Sequence, residues 1–164
     1  MKDYSRLFEI IQYQEEKYPN QDCLNYKYDG EWKSYSTNEV NNIINNVSKS
    51  FINAGIEKGD KIAIVSSNRP EWNFIDNGML QIGAINVPVY PTISEADYLF
   101  IFNDAEIKMA FVEDQELYKK IKSIQKDVPS LREIYSFEDL EECDNWENFV
   151  QQGKDISMDE VKKR

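Results

Sequence analysis

The sequence predicts an α/β fold, with a mainly parallel sheet and flanking helices, preceded by a leading helix and a β-hairpin. Two observations carry that expectation. Over residues 59–137, short apolar runs alternate with segments whose apolar residues recur every three or four positions, which is the rhythm of βαβ units joined by right-handed crossovers. Lys61–Val65 and Met109–Val112 are also apolar almost without a break, as strands covered on both faces are.

Each element has its own signal. In 7–18, Leu7, Phe8, Ile11 and Tyr18 recur at helical spacing until Pro19-Asn20 stops the pattern. Leu24, Tyr26 and Tyr28 then alternate with polar residues up to Asp29-Gly30, and Trp32 and Tyr35 resume beyond that turn signal, as in a hairpin. Ser36-Thr37-Asn38-Glu39 has the S-x-x-E form of a capping box. Val40, Ile43, Ile44, Val47 and Phe51 follow on one helical face, and Gly55 is placed as a left-handed stop. The paired asparagines Asn41-Asn42 and Asn45-Asn46 are read as the wet face of this helix.

After the strand at Lys61–Val65, Pro70 opens a helix with Trp72, Ile75, Met79 and Ile82 as its buried stripe, and Gly83 permits the exit. Residues 85–90 form the next strand, 94–104 a helix with Leu99 and Phe102 inward, and Met109–Val112 a third strand. Leu117, Ile121, Ile124 and Val128 mark a further helix before Pro129, and Glu133-Ile134-Tyr135 a short fourth strand. Beyond Phe137 the rhythm stops. An acidic run precedes Trp146, Phe149 and Val150, which suit one short helix ending at Gly153, and 154–164 reads as a charged connector without an element of its own. The expected organisation is therefore 1–35, 36–137 and 138–164.

Composition narrows the chemistry. With 164 residues, 41% of them hydrophobic, the chain can bury roughly two thirds of its unfolded surface. Nineteen basic against thirty acidic residues give a formal charge of -11, a poor match to nucleic-acid phosphates. The absence of histidine removes the commonest general base and metal ligand, and with it any Ser-His-Asp triad. Cys23 and Cys143 have no CxxC partner and are expected as free thiols. The opening residues 1–6 carry no apolar signal core, and no segment has the apolar length to span a bilayer, so a cytoplasmic chain is expected.

Open parallel sheets bind ligands beyond the carboxyl ends of their strands, which directs attention to 66–70, 91–94 and 113–115. None contains GxGxxG or GxxxxGK[ST], so no phosphate-cradling motif is present. Arg69 has two readings, an anion contact at the sheet mouth or a pair with Glu71, the second being favoured. Asn68 reads as a helix cap. Pro88 and Pro91 read as a strand end and rigid turn in preference to a pocket wall. Glu113 and Asp114 are weak candidates for binding magnesium or accepting a phosphoryl group.

The block Gly55-Ile56-Glu57-Lys58-Gly59-Asp60-Lys61-Ile62-Ala63-Ile64, followed by Ser67-Asn68-Arg69-Pro70-Glu71-Trp72, Ile82-Gly83-Ala84 and Val87-Pro88-Val89-Tyr90-Pro91-Thr92, resembles the opening region of AMP-forming long-chain fatty acid–CoA ligases, members of the adenylate-forming superfamily. The resemblance covers nearly the whole chain but well under half of a family member. It implies a parent enzyme that joins a fatty acid to ATP as an acyl-adenylate, with magnesium, and passes the acyl group to coenzyme A. A Ser/Thr/Gly-rich loop ending Pro-Lys-Gly, a ribose-binding aspartate and a C-terminal domain with a catalytic lysine are expected beyond Arg164.

No catalytic, cofactor-binding or metal residue is therefore assigned within the chain, which is expected to be inactive alone and to bind none of these groups. Some superfamily members place arginines after the third of these strands to meet the coenzyme A phosphate; Glu113-Asp114-Gln115-Glu116-Leu117 stand here, with Lys119 and Lys120 later, so that role is not transferred. Gly59, Asp60, Pro70, Trp72, Gly83 and Pro88 match the family as scaffold residues. The expected partners are the remaining segments of the polypeptide, with no nucleic acid, and the parent is placed in the cytoplasm or peripheral to a membrane.

Two other readings stand beside this one. A self-contained receiver-like module would use Glu113 or Asp114 for magnesium, but it needs acids after the first strand of the sheet, where Ser66-Ser67-Asn68 stand. A ligase for medium-chain or aromatic acids would share this part of the sequence.

Overall fold

A computed structural model describes residues 6–164; residues 1–5, most of the stretch read above as lacking a signal core, lie outside the described residues. Helix α1 (Glu9–Lys17) leads into the antiparallel hairpin β1 (Leu24–Tyr28) and β2 (Glu31–Tyr35). Asp29 and Gly30 both have positive φ, at 50° and 83°, which gives the tight turn whose twist matches that of the strands.

The capping box then starts α2 (Thr37–Asn53): the Ser36 hydroxyl accepts from Glu39 N–H, and the Glu39 carboxylate accepts from Ser36 N–H at 2.8 Å. Gly55 follows its end at φ 72°. Helices and strands alternate through β3 (Lys61–Val65), α3 (Pro70–Ile82), β4 (Ile85–Val89), α4 (Glu95–Asp104), β5 (Met109–Val112), α5 (Gln115–Ile124) with a 3-10 turn at Gln125–Asp127, and β6 (Glu133–Ser136). The sheet runs in the order β4-β3-β5-β6-β7, where β7 is the two-residue strand Asp144–Asn145, and every pairing is parallel.

The unbroken apolar runs are explained by two cores, one on each face. Ile62, Ile64, Met109 and Phe111 pack with α2, α3 and α6 (Trp146–Gln151), whereas their chain neighbours Ala63, Val65, Ala110 and Val112 pack with α4 and α5. A period-two strand buried on both sides leaves no position for a polar residue.

Several elements differ from expectation. In α4 the side chain of Tyr98 turns inward with Phe102, its hydroxyl donating to the Tyr90 carbonyl at 2.9 Å, while Leu99 is half-buried. In α3 Phe74 is fully buried and Trp72 half-buried. Strand β4 is an edge, ending at Val89 and leaving Tyr90 80% exposed. Its edge position accounts for Pro88, because no ladder bond is needed on the open side.

Asn42 and Asn46 face solvent as expected, but Asn41 is half-buried and donates to Glu15 of α1, and Asn45 accepts from Gln81 at 3.1 Å. The stretch 154–164, expected to form no element, contains helix α7 (Met158–Val161), capped by Ser157 and docked by the buried Val161 in the same core as α2.

Candidate functional site

The carboxyl ends of β3 and β5 define the place where the sheet changes direction. Helix α3 leaves β3 toward one face and α5 leaves β5 toward the other, so a crevice opens between these two adjacent strands. A cleft of about 1080 Å³ lies at this end of the sheet and is bounded on its far side by the hairpin; Tyr26, Tyr35, Ser67, Arg69, Glu113 and Trp146 are among its lining residues.

Each loop around the crevice is tied to another. Ser67, two residues beyond β3, donates its N–H at 2.7 Å and its hydroxyl at 2.6 Å to the two oxygens of Glu113, which directly follows β5. Asp114 is the N-cap of α5 and accepts from Leu117 N–H at 2.9 Å. The two acids singled out from the sequence are thus an interstrand tie and a helix cap. Among the described residues no group of three or more His, Cys, Asp or Glu side chains is arranged to hold a metal ion.

Arg69 forms a two-pronged pair with Glu71, Nε to Oε2 at 2.9 Å and Nη2 to Oε1 at 3.2 Å, and its guanidinium lies 5.0 Å from the centre of the Phe137 ring. Burial works against its charge, but the hydrogen bond and charge of Glu71, together with Glu113 and Glu138, hold its pKa above the usual arginine value. The pairing with Glu71 is the reading favoured from sequence. Asn68 is not the cap: Arg69 holds that position in extended backbone at φ -154°, ψ 160°, the conformation a following proline favours. Pro88 and Pro91 do not line the cleft.

A line of packed aromatic rings runs from the cleft wall, at Tyr26, Tyr35 and Trp146, into the core behind it, at Phe74. Tyr26 stacks on Tyr35 with centroids 5.5 Å apart, Tyr35 meets Phe74 edge-on at 5.1 Å, and Phe74 stacks on Trp146 at 6.0 Å. Burial, helped by Tyr26, raises the Tyr35 pKa and keeps its hydroxyl neutral. Sequence reasoning did not group these residues, because they come from positions 26 to 146 and share no local spacing. The one local signal is Asn145, whose side chain accepts from Glu147 N–H at 2.8 Å to start α6 and so orients Trp146.

A family model described as AMP-binding enzyme matches residues 11–162. The chain is 31% identical over 106 residues to the long-chain-fatty-acid–CoA ligase FadD15 of Mycobacterium bovis, a match covering 65% of this chain and 18% of that protein. It is 30% identical over 124 residues to the long-chain-fatty-acid–CoA ligase ACSBG1 of Rattus norvegicus, covering 76% of this chain and 17% of the other. It therefore spans about a fifth of the length of these curated relatives.

Among solved structures, the fold is similar to that of the anthranilate CoA ligase AuaEII in complex with anthranoyl-AMP. The TM-score is 0.75 at 20% identity, covering 92% of this chain and 29% of that one. The acetoacetyl-CoA synthetase from Streptomyces lividans gives a TM-score of 0.78 at 15% identity, covering 88% and 25%.

Proposed function

The chain belongs to the AMP-binding enzyme family, and on that premise we propose that it is the N-terminal scaffold portion of an ATP-dependent ligase that activates a long-chain fatty acid as an acyl-adenylate and transfers it to coenzyme A. The observation that carries this reading is the family match over 11–162, joined to relatives in a bacterium and a mammal that are both named long-chain-fatty-acid–CoA ligases. The likeness to an anthranilate ligase concerns the fold, so it does not weigh toward aromatic acids.

In this reading ATP would supply the adenylyl group, and coenzyme A the accepting thiol. The residues of this chain shape the wall on which later segments assemble the site. Ser67 and Glu113 fix the loops after β3 and β5 against each other, and Arg69 fixes the start of α3 to Phe137 after β6. These contacts tie the carboxyl ends of three strands to one another. Magnesium and every catalytic group are assigned to segments outside 1–164, and the protein is assigned to the cytoplasm; no helix among the described residues is long and apolar enough to cross a membrane.

The test compares the chain with the longer polypeptide that carries it. The chain alone is expected to give no acid-dependent exchange between ATP and pyrophosphate, and the longer polypeptide is expected to form coenzyme A thioesters fastest with long-chain acids. Exchange by the chain alone overturns the scaffold assignment, and a preference for medium-chain or aromatic acids overturns the substrate class.

A further inference from the structure

We propose that Asp76 on α3 and Asn86 on β4 form a proton-operated latch, in which the neutral Asp76 acid and the Asn86 amide close into a cyclic pair that fastens the edge strand to its helix. The structure shows half of that pair. Asn86 Nδ2 donates to Asp76 Oδ1 at 2.8 Å. Asn86 Oδ1 is buried and has no hydrogen-bond partner, an arrangement that leaves a polar atom desolvated without compensation.

An ionised carboxylate only accepts, so it cannot serve that oxygen; a carboxylic acid can, through its single O–H. A proton taken from solvent onto Asp76 Oδ2, followed by a turn of the carboxyl group, forms Oδ2–H···Oδ1 while the existing Nδ2–H···Oδ1 bond is kept. One O–H bond forms, and the buried Asn86 oxygen then has a donor.

The surroundings favour this step. Burial raises the Asp76 pKa, the Asn86 bond partly opposes the rise, and no charged neighbour contributes to it. On α3 itself Glu71 is engaged by Arg69 at the start of the helix. Asp60 accepts from Glu57 N–H before β3, and the Lys58 side chain lies beside Gly83 at the α3–β4 turn. Lys61 begins β3, and α2 presents the neutral Ser48 and Asn45 to α3. Strand β4 is paired on one side only, to β3, so its second attachment is to the helix layer. The sign follows from the raised folded-state pKa: the latch contributes stability at acid pH that is lost as the pH rises through that value.

The experiment is an NMR titration of the chain from pH 3 to pH 7, following the Asp76 side-chain carboxyl carbon and the Asn86 side-chain amide. Asp76 is expected to titrate above the ordinary aspartate value of 3.8, and the Asn86 amide resonances to shift with the same midpoint, because their carbonyl gains a donor. In Asp76→Asn the Asn86 shift is expected to vanish while the fold is kept. An Asp76 midpoint at or below 3.8, or Asn86 resonances that stay still while Asp76 titrates, overturns the latch; the second outcome leaves a merely buried acid.

Discussion

The Ser48 hydroxyl of α2 lies 2.6 Å from Gln81 Oε1 of α3, with both residues buried where the two helices meet. The helices come this close because Gly78 presents no side chain: a Cβ there would stand 2.3 Å from Val47 Cγ1. Ser48 also lies 3.0 Å from the Ile44 carbonyl and 3.1 Å from that of Gly78, so one small hydroxyl is surrounded by acceptors. Ser48→Ala is expected to destabilise the chain by about 1–3 kcal/mol by leaving Gln81 Oε1 unpaired in the core. Adding Gln81→Leu to that variant should recover part of the loss. Chemical denaturation of the single and double variants measures both, and an additive double variant would show that the two side chains do not act as a pair.

Gly153 sets how closely the segment after α6 approaches α2. Its N–H donates to the Ser50 hydroxyl at 3.0 Å, and a Cβ on it would lie 2.4 Å from Ser50 N and 2.6 Å from Lys49 C, both backbone atoms that cannot swing aside. Gly153→Ala is expected to cost roughly 1–3 kcal/mol through overpacking. Thermal unfolding followed by circular dichroism should show the lowered midpoint, whereas an unchanged midpoint would mean that this contact is not tight in solution.

The capping box of α2 carries a pH signature. The Ser36 side chain and then the Ser36 backbone N–H hold the Glu39 pKa below its ordinary 4.5. A carboxylate depressed in the folded state contributes stability that is present above its unfolded value and lost as the pH falls through the folded one. Stability should therefore decline below about pH 4.5, and Ser36→Ala should weaken that decline. Ser36→Ala should also lower stability near neutral pH by about 1 kcal/mol through loss of the cap. Urea titrations at pH 7 and pH 3.5 distinguish the two effects.

The two thiols should react unequally. Cys143 is buried beside β6, and burial, followed by the neighbouring Asp144 charge, pushes its thiol up to about 11, while Cys23 is half-buried. The thiolate is the reactive form, so a thiol reagent at pH 8 is expected to modify close to one equivalent per folded chain, at Cys23, and two after denaturation. Peptide mapping that finds rapid labelling of Cys143 in the folded protein would contradict its burial.

What could be read from the sequence followed local chemistry. The Ser36-x-x-Glu39 box, the Asp29-Gly30 turn and Gly55 each act within four residues, and each stands where its pattern placed it. The unbroken run Lys61–Val65 likewise required cover on both faces. The contiguous apolar residues Tyr98-Leu99-Phe100-Ile101-Phe102 defeat a reading of α4 by periodicity, since every phase offers an apolar side chain, and packing selects Tyr98 and Phe102. Strand β7 and helix α7 are two and four residues long, too short to carry a period. The cleft was not legible for a different reason: Tyr26 and Tyr35 of the hairpin and Trp146 of α6 line it and are joined through the buried Phe74 of α3, and these rings meet only after the chain has folded.

The bond between Gly153 and Ser50 joins residues 103 positions apart, and it has a bearing on the order of events during synthesis. Helix α2 leaves the ribosome early with Phe51 bare, while Phe149, which will lie 5.0 Å from it, has not yet been made. The interior strand β3 likewise emerges before either of its neighbours, β4 and β5. One core therefore stays open until residues 146–161 have left the exit tunnel, and until then the apolar face of α2 lacks part of its cover.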